Sequence, residues 1–185
     1  MADTEHQENT DSEGLPRMTT PAFLETVITP VLQDLGRETV ALDSPAAAKL
    51  LMMTACHESA GLYYRRQVGG GPALSFFQIE PGTLEDLYTN FLAYRPQFKA
   101  VLDSYLPAGM SRIDALATED RYACAAARLL YWRHPAPIPA VTDDEGLAQY
   151  AKEYWNTALG AATAENYLDD FKRWGPAPAP KSWAA

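Results

Sequence analysis

Residues 57–81 read HESAGLYYRRQVGGGPALSFFQIEP, directly after residues 50–56, LLMMTAC, and the junction between the two decides how the chain is read. The apolar run is entered through Ser44-Pro45, a capping hydroxyl before a proline at the first helical position, where a missing N–H costs nothing. This predicts a core helix over 45–60, with Glu58 projecting from its end into a cleft. After it the helical pattern stops. Gly69-Gly70-Gly71-Pro72 punctuates the chain, and Leu74 to Ile79 reads as a short strand or strand-like loop after a glycine turn. A glycine-rich, aromatic-flanked excursion around 63–81, hung on a helix that ends in a carboxylate, is where a functional site is expected.

On both sides the punctuation is helical. Thr20-Pro21 opens a helix over 21–35 in the same way as Ser44-Pro45. Thr83 and Asp86 resemble a capping arrangement for 83–93, and Pro96 starts 96–106. Residues 118–133, TEDRYACAAARLLYWR, begin with acids and end with arginine, as the helix dipole favours, and His134-Pro135 stops them. The following PAPIPA is a stiff connector. Asp143 or Asp144 caps a helix to about 157, Gly160 ends it, and Thr163 starts a last one to about 174. The expected class is therefore mainly α, one domain over 18–174, since 185 residues with 47% apolar content suit one core and not two.

The ends differ. Residues 1–17 are acidic and nearly free of large apolar groups, which predicts a disordered arm. Residues 175–185 form a Pro/Ala-rich tail, and the sequence leaves open whether Trp183 packs back on the domain. The formal net charge of -9 argues against a nucleic-acid partner held by phosphate contacts. No apolar run approaches a membrane span, and the N-terminus lacks the basic and apolar regions of a signal peptide, so transport across a membrane is expected to need another agent. Cys56 and Cys124 are read as buried thiols, too few for a zinc site, and neither a metal nor another cofactor is expected.

Several chemistries can be set aside on residue types alone. His57-Glu58-Ser59-Ala60-Gly61 begins like a zinc-protease His-Glu-x-x-His, but glycine stands where the second ligand belongs. The triple glycine lacks the Gly-Lys-Ser/Thr ending of a phosphate loop, and Ser59 and Ser75 lack a nucleophile elbow. His57 is read as a helix-end or core residue. What remains is a carboxyl group beside apolar surroundings, the requirement for an acid that protonates a departing glycosidic oxygen near neutral pH.

Glu58-Ser59, the glycine turn, and Phe76-Phe77-Gln78-Ile79-x-Pro81-x-Thr83 together resemble the goose-type lysozyme and lytic transglycosylase family, with Ser75 where that family usually has glycine. Lys152-Glu153-Tyr154-Trp155-Asn156-Thr157 is similar to its aromatic-Asn element, although Trp155 intervenes between Tyr154 and Asn156. The likeness covers about 50–170 and is similar to muralytic domains of tailed-phage proteins. It implies a lysozyme-like fold and cleavage of peptidoglycan glycan strands, with Glu58 as the acid and Ser59, Gln78, Tyr154 and Asn156 at the substrate. It also implies a phage setting, as a virion-associated protein or an endolysin made in the host cytoplasm and acting in the periplasm. Adjacent helical residues point about 100° apart, so at most one of Tyr154 and Trp155 can face the cleft well.

A hydrolase needs a second carboxylate about 5–9.5 Å from the first. Glu80 is the candidate, placed on the face of Gln78 by a strand's period of two, but its charge also suits a helix N-terminus before Thr83. A single acid favours the transglycosylase route to a 1,6-anhydro product. A muramidase using Glu58 and Glu80, and a non-catalytic glycan-binding or structural module, remain the alternatives.

Overall fold

The computed structural model describes residues 17–156 and 161–184, so the expected arm over 1–17, apart from Arg17, lies outside the described residues, as do Thr157 and Gly160. The architecture is mainly α, and the β structure among the described residues is two isolated bridges, Arg66 with Leu74 and Leu74 with Ile79. Two helices are apolar nearly all round, α3 (Pro45–Glu58) and α7 (Asp120–Trp132). Lys49 through Cys56 on α3 and Tyr122 through Tyr131 on α7 are consecutively buried, the signature of helices enclosed by others rather than laid on a surface.

The enclosing helices follow from that. The chain opens with α1 (Thr20–Phe23), passes through a π-helical turn (Leu24–Ile28) and continues as α2 (Thr29–Glu38), packed on α3 and α7. Pro30 has no N–H for the Thr26 carbonyl one turn back, and the wider turn accommodates it. Arg121 on α7 takes up that carbonyl, with Nε and Nη2 at 3.1 and 2.9 Å from the Thr26 oxygen. Helices α4 (Pro81–Asn90), α5 (Pro96–Ser104) and α6 (Arg112–Thr118) pack on α7. Helices α8 (Asp144–Tyr154) and α9 (Ala164–Trp174) pack on each other and on α3.

Several caps stand where the sequence places them. Ser44 accepts from the Ala47 amide at 3.1 Å, Asp143 from Gly146 at 2.8 Å, and Thr163 forms a capping box with Asn166. Others shift. Thr19, not Thr20, caps the first helix, while the Thr20 hydroxyl donates to the Trp174 carbonyl at 2.8 Å. The helix expected from Thr83 begins at Pro81, because proline at the first position makes Glu80 the cap residue. The run expected to be helical over 118–133 breaks at Glu119, whose backbone is extended, and is preceded by α6, which the sequence reading lacks.

The Pro/Ala-rich tail does not trail away. Lys181–Trp183 forms a 3-10 turn that seats Trp183 against Phe171, ring centroids 5.9 Å apart, with the Lys49 ammonium 5.7 Å from the indole. Trp183 is 5% exposed, so it belongs to the core. Trp183→Ala is therefore expected to cost about 3 kcal/mol, as for other large aromatic truncations. A denaturant midpoint unchanged from wild type would show that the tail contributes nothing to the fold.

Candidate active site

Glu58 is the last residue of α3, and the chain leaves the helix there through a left-handed passage. Ala60, Gly61 and Leu62 all have positive φ, 51°, 72° and 69°. A side chain on Gly61 would meet the Trp174 ring, its Cβ 2.6 Å from Cγ, so glycine is required by both backbone and packing. Ser59 stabilises this exit: its hydroxyl donates to the Ala55 carbonyl at 2.6 Å and accepts from the Leu62 amide at 3.0 Å. It is wholly buried, which corrects its expected place among substrate-binding residues. Its position holds the turn that presents Glu58.

The excursion that follows is pinned at both sides. Arg65 forms a bidentate pair with Asp120 at the start of α7 and lies over the Phe76 ring at 4.0 Å. The Gln67 amide donates to the Ala73 carbonyl at 3.1 Å, and Gly69 and Gly70 turn the tip with φ of 84° and 82°. Leu74 to Ile79 is a closed turn rather than a strand, with reciprocal backbone bonds between its two ends at 3.0 and 2.9 Å. Phe76 and Phe77 are buried in its middle, against Phe23 at 5.5 and 6.0 Å. Ser75 has φ 67°, the conformation in which glycine is favoured, and keeps it by accepting a hydrogen bond on its hydroxyl from the Phe77 amide at 3.2 Å. The serine thus preserves the turn that a glycine would make. Gln78, with φ 48°, is brought to the cleft with its amide nitrogen donating to the Ser75 carbonyl at 2.8 Å.

These pieces enclose an open cleft of about 570 Å³, lined among others by Glu58, Tyr64, Gln78, Glu80, Trp155 and Asn156. A second depression of about 250 Å³ adjoins it, sharing Gln78, Glu80 and Trp155 and adding Thr83, Arg133 and Tyr154. Of the aromatic pair, Trp155 faces the carboxyl group, packed on Tyr131 at 5.1 Å and Phe77 at 6.3 Å. Tyr154 stacks on Tyr150 and His134, at 4.5 and 4.7 Å, and reaches only the adjoining depression. Glu80 lies exposed at the edge of both, and its side chain makes no capping bond to α4.

The group absent from the sequence reading is Tyr167, on α9. It is fully buried, and its hydroxyl donates to Glu58 Oε1 at 2.8 Å. Asn156 hydrogen-bonds the same hydroxyl, so Asn156 both lines the cleft and steadies the donor. Burial holds the Glu58 carboxyl above the ordinary glutamate range; the Tyr167 bond and the nearby His57 act in the opposite direction. Cys56, behind Glu58, is a free thiol pushed up to about 12 by burial and by the charge of Asp170. Among the described residues no three His, Cys, Asp or Glu side chains cluster in a way that could hold a metal ion. No protein-family model, curated protein or solved structure matches the chain.

The raised Glu58 value has a thermodynamic consequence. Because the folded state binds this proton more tightly than the unfolded state, the group favours folding in acid and loses that contribution as pH rises through the unfolded and then the folded value. Glu58→Gln, which keeps an acceptor for Tyr167, is expected to be the more stable protein at neutral pH, with the gap shrinking as pH falls toward about 4 and changing no further below it. Melting temperatures followed against pH would check this. A wild type that gains on the variant as pH rises would contradict it.

Proposed function

We propose that the protein cleaves the β-1,4 bond between N-acetylmuramic acid and N-acetylglucosamine in peptidoglycan, as a lytic transglycosylase with Glu58 as its acid. The observation that carries this reading is the setting of Glu58: a carboxyl group at the wall of an open cleft, its proton affinity raised by burial, and oriented by Tyr167 through one oxygen. The other oxygen is left to face a glycosidic oxygen. Trp155 and Tyr64 offer ring faces to sugars, and Gln78 and Asn156 offer hydrogen bonds to hydroxyl and N-acetyl groups.

In this mechanism Glu58 gives its proton to the departing glycosidic oxygen as the bond to C1 breaks. The substrate's own N-acetyl carbonyl stabilises the electron-poor C1. The Glu58 carboxylate then takes the proton of the C6 hydroxyl, whose oxygen closes on C1 to give the 1,6-anhydro ring. The acid is regenerated, and no water is consumed. One observation favours a second reading: Glu80 shares the cleft and is not engaged in capping α4, which leaves it able to position water for hydrolysis.

Purified sacculi distinguish these outcomes. The expected products end in 1,6-anhydromuramic acid, one water, about 18 Da, lighter than reducing ends, since no water enters the mechanism. Glu58→Gln is expected to fall to below about a hundredth of wild-type turnover, as for loss of a general acid, while Glu80→Gln stays near wild type. Free reducing ends together with an inactive Glu80→Gln would establish the hydrolase reading instead. A folded wild type that binds sacculi and releases nothing would leave a glycan-binding module.

A further inference from the structure

His57 and Glu58 are neighbours on α3, and each is gripped by a residue of α9. Tyr167 donates to Glu58, while Asp170, three residues further along α9, accepts from or donates to His57 Nδ1 at 2.7 Å. The His57 ring lies against the Tyr167 ring, centroids 3.9 Å apart and tilted by 36°. His57 itself does not line the cleft. Its contacts lead instead to the hydroxyl that orients the carboxyl group. A neutral imidazole in this pairing donates from Nδ1 to the Asp170 carboxylate, which fixes its tautomer and ring plane.

We infer that His57 and Asp170 form a positioning pair, which clamps the Tyr167 ring and through it sets the geometry of Glu58. The inference rests on the reading of Glu58 as the acid, but it concerns groups outside the cleft. The buried Tyr167 ring has His57 against one side and is tied through its hydroxyl to Glu58 and Asn156, so losing the His57–Asp170 pair removes the support on that side. A carboxyl group misplaced by a fraction of an ångström loses rate without losing substrate affinity. The titratable groups around the pair are Asp170 and Tyr167 from α9, and Glu58 and Cys56 from α3, whose thiol feels the Asp170 charge.

The test compares Asp170→Asn, His57→Phe and Tyr167→Phe, singly and with Tyr167→Phe combined with each of the others. On sacculi, Asp170→Asn and His57→Phe are expected to lower kcat by about tenfold to a hundredfold with KM nearly unchanged. Because the pair acts through Tyr167, each double variant should be no slower than Tyr167→Phe alone. Wild-type kcat in both single variants, or losses that multiply in the doubles, would overturn the inference. A second readout needs no activity: ¹³C NMR titration of the Glu58 carboxyl, assigned with Glu58→Gln. If the pair works through the Tyr167 bond, which lowers the midpoint of that titration, His57→Phe and Asp170→Asn should each move it upward in the wild-type background and leave it nearly unmoved in the Tyr167→Phe background. A shift that vanishes in the Tyr167→Phe background, in a protein that cleaves no glycan, would uphold the pair while removing the proposed function; a midpoint unmoved in the wild-type background, or a shift that persists undiminished in Tyr167→Phe, would remove the pair.

Discussion

The hydrogen bond from Tyr167 to Glu58 joins the last turn of α3 to the first turn of α9, and fixes the carboxyl group at the wall of the cleft. A carboxyl group taken from water favours its neutral form, whereas a donor aimed at one oxygen favours the anion. Glu58 is subject to both, with burial the larger effect. The balance matters for chemistry that gives a proton away and then takes one back. A carboxyl group with burial alone would release its proton reluctantly. One with strong donors and no burial would be ionised before substrate arrived.

The surrounding backbone is shaped to keep that junction in place. Four non-glycine residues, Ala60, Leu62, Ser75 and Gln78, sit in the left-handed region, and each such residue costs of order 1 kcal/mol or more. They occur in two short groups on opposite sides of the glycine-tipped excursion. Burial offsets the cost: Leu62, Phe76 and Phe77 are all enclosed, the two rings against Phe23 of the first helix. Strain and anchoring thus coincide around the one cleft that Glu58 lines.

What the sequence reveals and what it conceals divide along physical lines. The apolar run of α3, the caps at Ser44, Asp143 and Thr163, and the exit of Glu58 into a cleft depend on local pattern, and local pattern is legible. The grouping of Gln78 and Asn156 with Glu58 is expected from the family resemblance and not from local pattern; both line its cleft with Glu80, while Ser59 is buried and Tyr154 reaches the adjoining depression. Tyr167 is illegible because it lies on an ordinary amphipathic helix, and its partner is set by helix packing across the domain. Trp183 is concealed for the same reason: a Pro-rich tail gives no periodicity, and the surface it covers is formed by Lys49 and Phe171. Helix α6 did carry a local signal, Ser111 with Asp114, whose amide the serine hydroxyl caps at 3.1 Å.

The two partners of the central hydrogen bond are 109 positions apart in the chain. During synthesis α3 leaves the ribosome long before α9, and Gly61 waits as long for the Trp174 ring that it abuts. A nascent chain can therefore fold much of α1 to α7 around its own apolar residues while its carboxyl group still faces solvent on one side. The buried, singly oriented carboxyl group appears only when α9 docks. Chains that stall or are clipped ahead of α9 carry Glu58 but lack the donor that orients it, so the order of synthesis delays that contact until α9 has been made.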